Sequence, residues 1–476
     1  MSEIDLTQLS ALELAAAIRA REISPVEVME ATLSQVDAVN DKVNTVIWRN
    51  DDEALAWAKA ATDAITRVDR GELPPFHGVP IPIKDDCPVA GWPVTLGSWT
   101  TPDTPSAESE LVIEALQRAG FVLTGRTNTP EFSYLGAAEN DRYGITRNPW
   151  NLDRTPGGSS GGAAAAVAAR MFAVAQASDG GGSMRVPASC CGLVALKASR
   201  GRVPARVIRG VGTSLNGVLT RDVSDTAAIL DVISGPDRGA WYNAPTPERP
   251  FVSEVGADPG RLRIGLVDAA PLGLPIDPEC AEAVREAAAA LEDIGHHVEH
   301  TQFPESEEFI AAHLNLMKAG LFGDDVDWER AEPHIRHVRS VAQAIDAETY
   351  LRSVYVLQRL SRNLVSRWGS EFDILLTPTM SIVPPRAGEL SAAAHASQLG
   401  PDGLDAVLSC AVFTRKFNMT GQPAISVPTH MAADGVPIGV QLVAGPWEEA
   451  LLIRLASQLE EVLPWSERRP PTCATN

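Results

Sequence analysis

Apolar and polar positions along the first forty residues follow the period of amphipathic helices. The segments Ser10–Glu13 and Ser24–Glu27 are both capping boxes, the second with proline at the first helical position, so each predicts the start of a helix. Met29, Leu33 and Val36 then recur on one side, as expected of a surface helix that packs inward.

Short β-branched runs alternate with helical patterns further along the chain. The apolar run at residues 78–83 ends at Lys84, residues 110–119 have a helical pattern, and residues 121–124 resemble a strand. Strands that alternate with helices predict an α/β layer architecture. Residues 163–169, a run rich in alanine inside a Gly- and Ser-rich region, predict a tightly packed helix.

The stretch from about 276 to 370 is mostly helical and more charged than the rest. Candidate helices lie near residues 278–294, 305–320 and 336–368. Strand patterns return at residues 374–376, 424–427 and 438–443. A final amphipathic helix follows at about 447–462. We predict a single domain, 1–476, with a helical, substrate-covering excursion at about 276–370.

Charge and composition exclude several classes of function. The chain has 40 basic and 61 acidic residues, a formal charge of −21, which argues against binding to nucleic acid or to anionic membranes. Its N-terminus lacks a basic, apolar signal segment, and no stretch is long and apolar enough to span a bilayer, so we expect a cytoplasmic protein. Six cysteines are too few for a disulfide framework in so long a chain, and we expect Cys190 and Cys191 to be packing residues.

The candidate chemistry comes from a lysine and two serines in glycine-rich loops. Lys84 precedes Ser159 by seventy-five residues, and Ser183 follows Ser159 by twenty-four. A serine hydroxyl is a poor nucleophile until a base takes its proton, and lysine is a base only when burial keeps it neutral. The apolar strand before Lys84 offers such burial, and a second serine could relay the proton.

The glycine run at residues 180–182 adds a second element of the chemistry. Without Cβ atoms, consecutive backbone N–H groups can converge on one point. Such a run could form an oxyanion hole for a tetrahedral intermediate.

These segments together resemble the amidase signature family. The resemblance extends over nearly the whole chain, through Gly78–Asp85, Gly125–Asn128, Asn148–Trp150, Thr155–Gly162, Pro187–Gly192 and Asn418–Ala424. It implies an α/β amidase signature fold, with a central mixed β-sheet covered by helices on both faces. It also implies an amidase without a cofactor or a metal.

The resemblance assigns roles to individual residues. Ser183 would be the nucleophile, Ser159 the serine preceded by a cis peptide bond, and Lys84 the base. Ser160 would orient this network by hydrogen bonding. The oxyanion donors would be the N–H groups of Gly180, Gly181, Gly182 and Ser183. Asp179 and Arg185 would form a structural charge pair that braces the loop.

The segment Ala177–Gly192 is similar to a branch of the family that acts on synthetic amides. That branch includes nylon-oligomer cyclic-dimer hydrolases and some urethanases, although Gly180 departs from the Thr or Ile of many relatives. We therefore expect a small-molecule amide, anilide or carbamate substrate, cleaved through an acyl-enzyme. Two alternatives stay open: the glutaminase subunit of an amidotransferase, disfavoured by Val186 in place of glutamine, and a non-catalytic binding protein. A homo-oligomer also stays open.

Other interpretations of single motifs are weaker. Residues 157–161 satisfy the G-x-S-x-G pattern of α/β-hydrolases, but the preceding residues are polar and broken by proline rather than a strand. The nine histidines show no metal-binding H-E-x-x-H, so we expect His334 and His337 to be surface residues. We expect the loop 202–213 to wall the substrate pocket. Candidates for its apolar lining are Phe132, Tyr134, Leu316 and Phe322.

Overall fold

A computed structural model of the chain describes residues 5–67, 69–302, 305–321, 326–397 and 410–474. Its helices are α1 Ala11–Ala20, α2 Pro25–Val43, α3 Asp51–Arg67, α4 Leu111–Arg118, α5 Gly161–Ala168, α6 Arg185–Cys191, α7 Val223–Ile233, α8 Pro278–Asp293, α9 Glu307–Ala319, α10 Pro333–Ala342, α11 Ala347–Val365, α12 Glu389–Ser397, α13 Arg415–Thr420 and α14 Glu449–Val462. Its strands are β1 Val46–Arg49, β2 Pro80–Lys84, β3 Val122–Thr127, β4 Glu139–Asn140, β5 Gly144–Ile145, β6 Ala175–Asp179, β7 Ala195–Lys197, β8 Leu215–Leu219, β9 Arg263–Leu266, β10 His297–His300, β11 Ile374–Pro378, β12 Ala424–Met431 and β13 Pro437–Val443.

The first two helices begin where the capping boxes predict. The Ser10 hydroxyl accepts from the Glu13 amide at 3.2 Å, and the Glu13 carboxylate accepts from the Ser10 amide at 2.8 Å. Ser24 and Glu27 repeat the arrangement at α2. Each box satisfies two backbone donors that a helix start otherwise leaves without partners.

A six-stranded mixed sheet, in the order β10-β9-β11-β13-β12-β7, forms the centre of the fold. Strands β10, β9 and β11 pair in parallel, whereas β11, β13, β12 and β7 pair antiparallel. The sequence prediction of an α/β protein with a mixed sheet is confirmed.

Helices cover this sheet on both faces, as the alternating side chains of β13 show. Val440 and Leu442 belong to the main apolar core, together with Val284 of α8 and Leu452 of α14. Gln441 points the other way, where its side chain accepts from Arg185 of α6 at 2.6 Å. Successive strand residues face opposite sides of a sheet, so α8 and α14 lie on one face and α6 on the other.

A second strand group carries the residues that the sequence singled out. Strand β2 pairs in parallel with β3, which pairs antiparallel with β1. Strand β6 pairs antiparallel with β8 and lies beside β2, where the Gln176 side chain accepts from the Lys84 amide at 3.1 Å. Lys84 is the last residue of β2 and Asp179 the last residue of β6. The two strands therefore end in polar residues at the same edge of this strand group.

The region from about 276 to 370 contains helices α8, α9, α10 and α11, but its last helical segment is divided. The prediction of one helix at 336–368 is wrong: α10 ends at Ala342 and α11 begins at Ala347. The Asp346 carboxylate accepts from the Thr349 amide at 2.7 Å and so caps a new helix.

Helix α5 begins with glycines because backbone from another segment approaches it closely. The Gly162 amide donates to the Asn128 carbonyl at 3.2 Å, and a methyl group at Gly162 would lie 2.6 Å from that same oxygen. The alanines that follow are buried, which confirms the predicted tightly packed helix. This contact fixes the loop of Ser159 and Ser160 against the end of β3.

We predict that Gly162→Ala lowers the free energy of unfolding by about 1–3 kcal/mol, because the methyl group has no room beside Asn128. Gly71→Ala is the control, since a methyl group there has no neighbour within 4 Å, and we expect a change within about 0.5 kcal/mol. Urea denaturation measures both. Equal stability of Gly162→Ala and wild type would show that the close approach is not a constraint.

Candidate active site

Lys84 is wholly buried at the end of β2, and its ammonium group is surrounded by hydroxyl and carboxylate oxygens. Its Nζ lies 2.7 Å from Ser159 Oγ and 2.8 Å from Ser178 Oγ. The burial predicted for Lys84 and its approach to Ser159 are both present. The structure thus brings together two segments seventy-five residues apart in the chain.

Asp86 completes this cluster and was missed by the sequence analysis. Its Oδ2 lies 3.1 Å from Lys84 Nζ and accepts from Ser178 Oγ at 2.6 Å and from Ser133 Oγ at 3.1 Å. Strand alternation could not have found it, because Asp86 lies in the turn after β2, where the Cys87 amide donates to the Lys84 carbonyl at 3.1 Å. Asp85, between them, faces away and accepts from the backbone of Thr95 at 3.0 Å.

Burial and the nearby carboxylate have opposite effects on the pKa of Lys84. Burial lowers the pKa of Lys84, while the Asp86 carboxylate partly offsets that shift. Burial alone would raise the pKa of Asp86, but Lys84, Arg209 and the Ser178 hydrogen bond outweigh it and hold that pKa below its usual value. Lys84 therefore loses its proton more readily than a solvated lysine.

The two serines at 159 and 160 have different surroundings. The peptide bond between Gly158 and Ser159 is cis, as the family resemblance implied. Ser160 forms no hydrogen bond with Lys84: its hydroxyl donates to the Ser178 carbonyl at 3.1 Å, and its amide donates to the Ser183 carbonyl at 3.1 Å. Ser160 thus joins the two serine loops and β6 through the backbone.

Ser183 lies just before α6, on the wall of a cavity that Ser159 also lines. Its side chain is half-buried, unlike the fully buried Lys84. Among the described residues, the Ser183 hydroxyl forms no hydrogen bond. A catalytic hydrogen bond is often long in a substrate-free enzyme and shortens when substrate binds.

Asp179 and Arg185 form a bidentate ion pair directly beneath this loop. Arg185 Nε and Nη2 each donate to a different oxygen of Asp179 at 2.9 Å, and both side chains are fully buried. Burial alone would raise the pKa of Asp179, but Arg185 and a hydrogen bond from Asn418 hold that pKa well below its ordinary value. The geometry is that of a brace, as the resemblance implied.

The predicted oxyanion hole is wrong in one donor, Gly182, because the Asp179 carboxylate binds its amide. The Gly182 amide donates to Asp179 Oδ1 at 2.7 Å, so that donor is already engaged and does not point to a substrate. This is a local contact between a side chain and the backbone amide three residues later, and it competes with any ligand for the Gly182 amide. Gly180, Gly181 and Ser183 keep amides without a hydrogen-bond partner among the described residues.

A cavity of about 350 Å³ opens over Ser159, Ser183 and the glycine loop. The predicted lining by Phe132, Tyr134 and Leu316 is confirmed, whereas Phe322 lies outside the described residues. Loop 202–213 contributes Arg209, Gly210 and Thr213, also as predicted. The wall is mainly apolar, so it suits a substrate with hydrocarbon or aromatic groups.

The expectation that His334 is a surface residue is wrong, since its side chain is only 2% exposed. His313 is buried to the same degree, and both line the cavity with the half-buried His337. The helical face that carries His334 packs inward against the cavity rather than outward to solvent. Cys190 and Cys191 are buried, as expected of packing residues.

Comparison with known proteins identifies the family. A family model described as Amidase matches residues 27–453. The 6-aminohexanoate-cyclic-dimer hydrolase of Paenarthrobacter ureafaciens is 37% identical, over 99% of this chain and 98% of its own. The chain belongs to the amidase family.

Solved amidase structures share the fold. A 6-aminohexanoate cyclic dimer hydrolase complexed with substrate has a TM-score of 0.90 at 35% identity, covering 98% of this chain and 100% of its own. A bacterial aryl acylamidase of the amidase signature family has a TM-score of 0.87 at 26% identity, covering 97% of each chain. The predicted amidase signature fold and the similarity to cyclic-amide hydrolases are confirmed.

The amidase is an amide-hydrolysing enzyme, which sets aside the alternative of a non-catalytic binding protein. In the part of the chain that the structure describes, no helix has both the length and the apolar character that crossing a membrane requires.

We predict that Asp179→Asn lowers the free energy of unfolding by about 3–5 kcal/mol, since it leaves the buried Arg185 charge without its partner. Glu348→Gln is the control: it removes an exposed pair with Arg352 and should cost at most about 0.5 kcal/mol. Urea denaturation at neutral pH compares them. A cost for Asp179→Asn no greater than that of the control would rule out the bracing role.

Proposed function

We propose that this amidase cleaves C–N acyl bonds of small molecules through an acyl-enzyme on Ser183, with Ser159 as proton relay and Lys84 as base. The observation that supports this most strongly is the 2.7 Å contact between the buried Lys84 Nζ and Ser159 Oγ. A buried amine with a lowered pKa can be neutral near physiological pH and accept a proton through that contact.

The chemistry proceeds in two halves. The Ser183 oxygen attacks the substrate carbonyl carbon while its proton passes to Ser159, whose own proton passes to Lys84. The amides of Gly180, Gly181 and Ser183 stabilise the oxyanion of the tetrahedral intermediate. The relay then returns a proton to the leaving nitrogen, which departs as an amine, and a water molecule cleaves the acyl-enzyme by the same steps.

Asp86 adjusts the base in this scheme. Its carboxylate stabilises the protonated form of Lys84 and, with Ser178, orients Nζ beside Ser159. Lys84 must be neutral to start the reaction and protonated after the first transfer. One carboxylate beside a buried amine suits both states. In an exposed ion pair Lys84 would stay protonated, and in a fully apolar pocket its protonated form would be too costly.

The cavity and the relatives indicate the substrate class. Aromatic and aliphatic side chains of Phe132, Tyr134 and Leu316 line the wall, and the relatives act on a cyclic amide or are named for aryl acylamides. We infer amides with apolar or aryl groups near the carbonyl. Carbamates follow as an extension, because their carbonyl is attacked in the same way and releases the same kind of amine.

We predict amine release from at least one of a p-nitroanilide, an N-aryl carbamate and a cyclic amide. Ser183→Ala should lower kcat by roughly 10⁴–10⁶-fold, because the acyl-enzyme cannot form. Ser340→Ala, an exposed serine on α10, is the control and should keep wild-type activity.

Glutamine belongs in the same panel. Cleavage of glutamine alone, or silence across the panel, would favour the glutaminase subunit of an amidotransferase instead. Full activity of Ser183→Ala on an amide would refute the acyl-enzyme assignment.

We predict that kcat/KM rises with pH as Lys84 loses its proton, and that Asp86→Asn moves this rising limb to lower pH. The sign follows because the Asp86 carboxylate raises the pKa of Lys84, so its removal lets burial lower that pKa further. Ser178→Ala is the matched variant, since it removes a hydrogen bond to Nζ but keeps the carboxylate. A pH–rate profile of the three enzymes tests this, and a limb that stays in place or moves to higher pH in Asp86→Asn contradicts it.

A further inference from the structure

Three potential metal ligands from two helices converge at the edge of the cavity. Glu332 Oε2 lies 3.0 Å from His395 Nε2 and 3.5 Å from His334 Nδ1. All three ligand atoms lie within 4.8 Å of one another. Glu332 and His334 open α10, whereas His395 lies in α12, sixty-three residues after Glu332.

His334 is the least expected member of this group. It is 2% exposed, and neither of its ring nitrogens has a hydrogen-bond partner among the described residues. A buried polar group without a partner is costly unless something else satisfies it, and a neutral imidazole is a good metal ligand.

Glu332 brings negative charge into the same buried place. Its backbone amide donates to Glu131 Oε2 at 2.7 Å, so a second buried carboxylate lies beside it. Among the described residues, the ion-pair partners of Glu332 are His334 and His395. A cation at this point would offset charge that the fold otherwise leaves poorly compensated.

The Glu332 carboxylate is also held in an orientation that suits a ligand. Its Oε1 accepts from the Asp141 amide at 2.9 Å, which leaves Oε2 directed to His334 and His395. Outer contacts of this kind commonly orient the ligands of protein-bound metals.

We propose that Glu332, His334 and His395 form a site for a divalent transition metal of the zinc class. Two imidazole nitrogens and one carboxylate oxygen are a donor set that Zn²⁺ and neighbouring first-row ions prefer over Mg²⁺ or Ca²⁺. Ligand atoms at about 2.0–2.1 Å from a tetrahedral zinc lie roughly 3.3 Å apart. The 3.0 Å and 3.5 Å separations bracket that value.

The site's location suggests what the ion does. His334 lines the cavity that holds Ser159 and Ser183, and α10 packs on α12. The ion ties the first turn of α10 to α12 and so fixes part of the cavity wall. The site has no motif in the sequence, because its ligands are not spaced like H-E-x-x-H and meet only through the fold.

The test uses the full-length protein after treatment with EDTA and removal of the chelator. Isothermal titration with Zn²⁺ should give one site per chain, and Co²⁺ should produce visible d–d absorption without a thiolate charge-transfer band. Thermal melting should shift to higher temperature with Zn²⁺, since ligand that binds only the folded state stabilises it. His334→Ala should weaken Zn²⁺ binding by more than about 100-fold, beyond the effect of removing an outer contact.

Matched variants separate the site from adventitious binding. His300→Ala removes an exposed histidine elsewhere, 70% exposed at its side chain, and should bind like wild type. His395→Asn changes a half-buried ligand with little loss of volume, so it tests the site even where His334→Ala is unstable. The proposal is overturned if wild type takes up no stoichiometric Zn²⁺, or if His395→Asn binds it as tightly as wild type.

Discussion

The active site depends on the burial of one ionisable amine, that of Lys84, away from solvent. Most of the surrounding polar groups hydrogen-bond to that amine or hold the residues that do. Its burial lowers its pKa, while the Ser159 and Ser178 hydroxyls and the Asp86 carboxylate satisfy its hydrogen bonds. An unpaired buried ammonium would be too costly, and a fully paired one would be too weak a base. The cluster lies between these limits, at the shared end of β2 and β6.

The loop that carries Ser183 depends on a second buried charge. Asp179 uses both carboxylate oxygens on Arg185, and one of them also accepts from the Gly182 amide. Arg185 in turn donates to Gln441 of β13. The central sheet is thereby connected to the glycine loop through the side chains of Gln441, Arg185 and Asp179. Rigidity of this kind keeps backbone donors in place before a charge develops on the substrate.

The residues of the proposed triad were chosen from the sequence through the family resemblance of their glycine- and serine-rich loops, and the structure brings Lys84 to Ser159. Asp86 could not be found from strand alternation, because it lies in the turn that follows β2 rather than in the strand itself. The engagement of Gly182 by Asp179 could not be read, because it depends on which way one carboxylate turns. The division between α10 and α11 had a local signal in Asp346, whereas the meeting of Glu332 with His395 is a long-range result of packing.

The most direct test of the account is the acylation of the enzyme by a p-nitrophenyl ester, followed by mass spectrometry of the digested protein. The account predicts that the acyl group resides on Ser183 and that Ser159→Ala slows its formation by about 10²–10⁴-fold, the usual contribution of a general base. Acylation of Ser159 itself, or an unchanged rate in Ser159→Ala, would contradict the relay from Ser183 to Lys84.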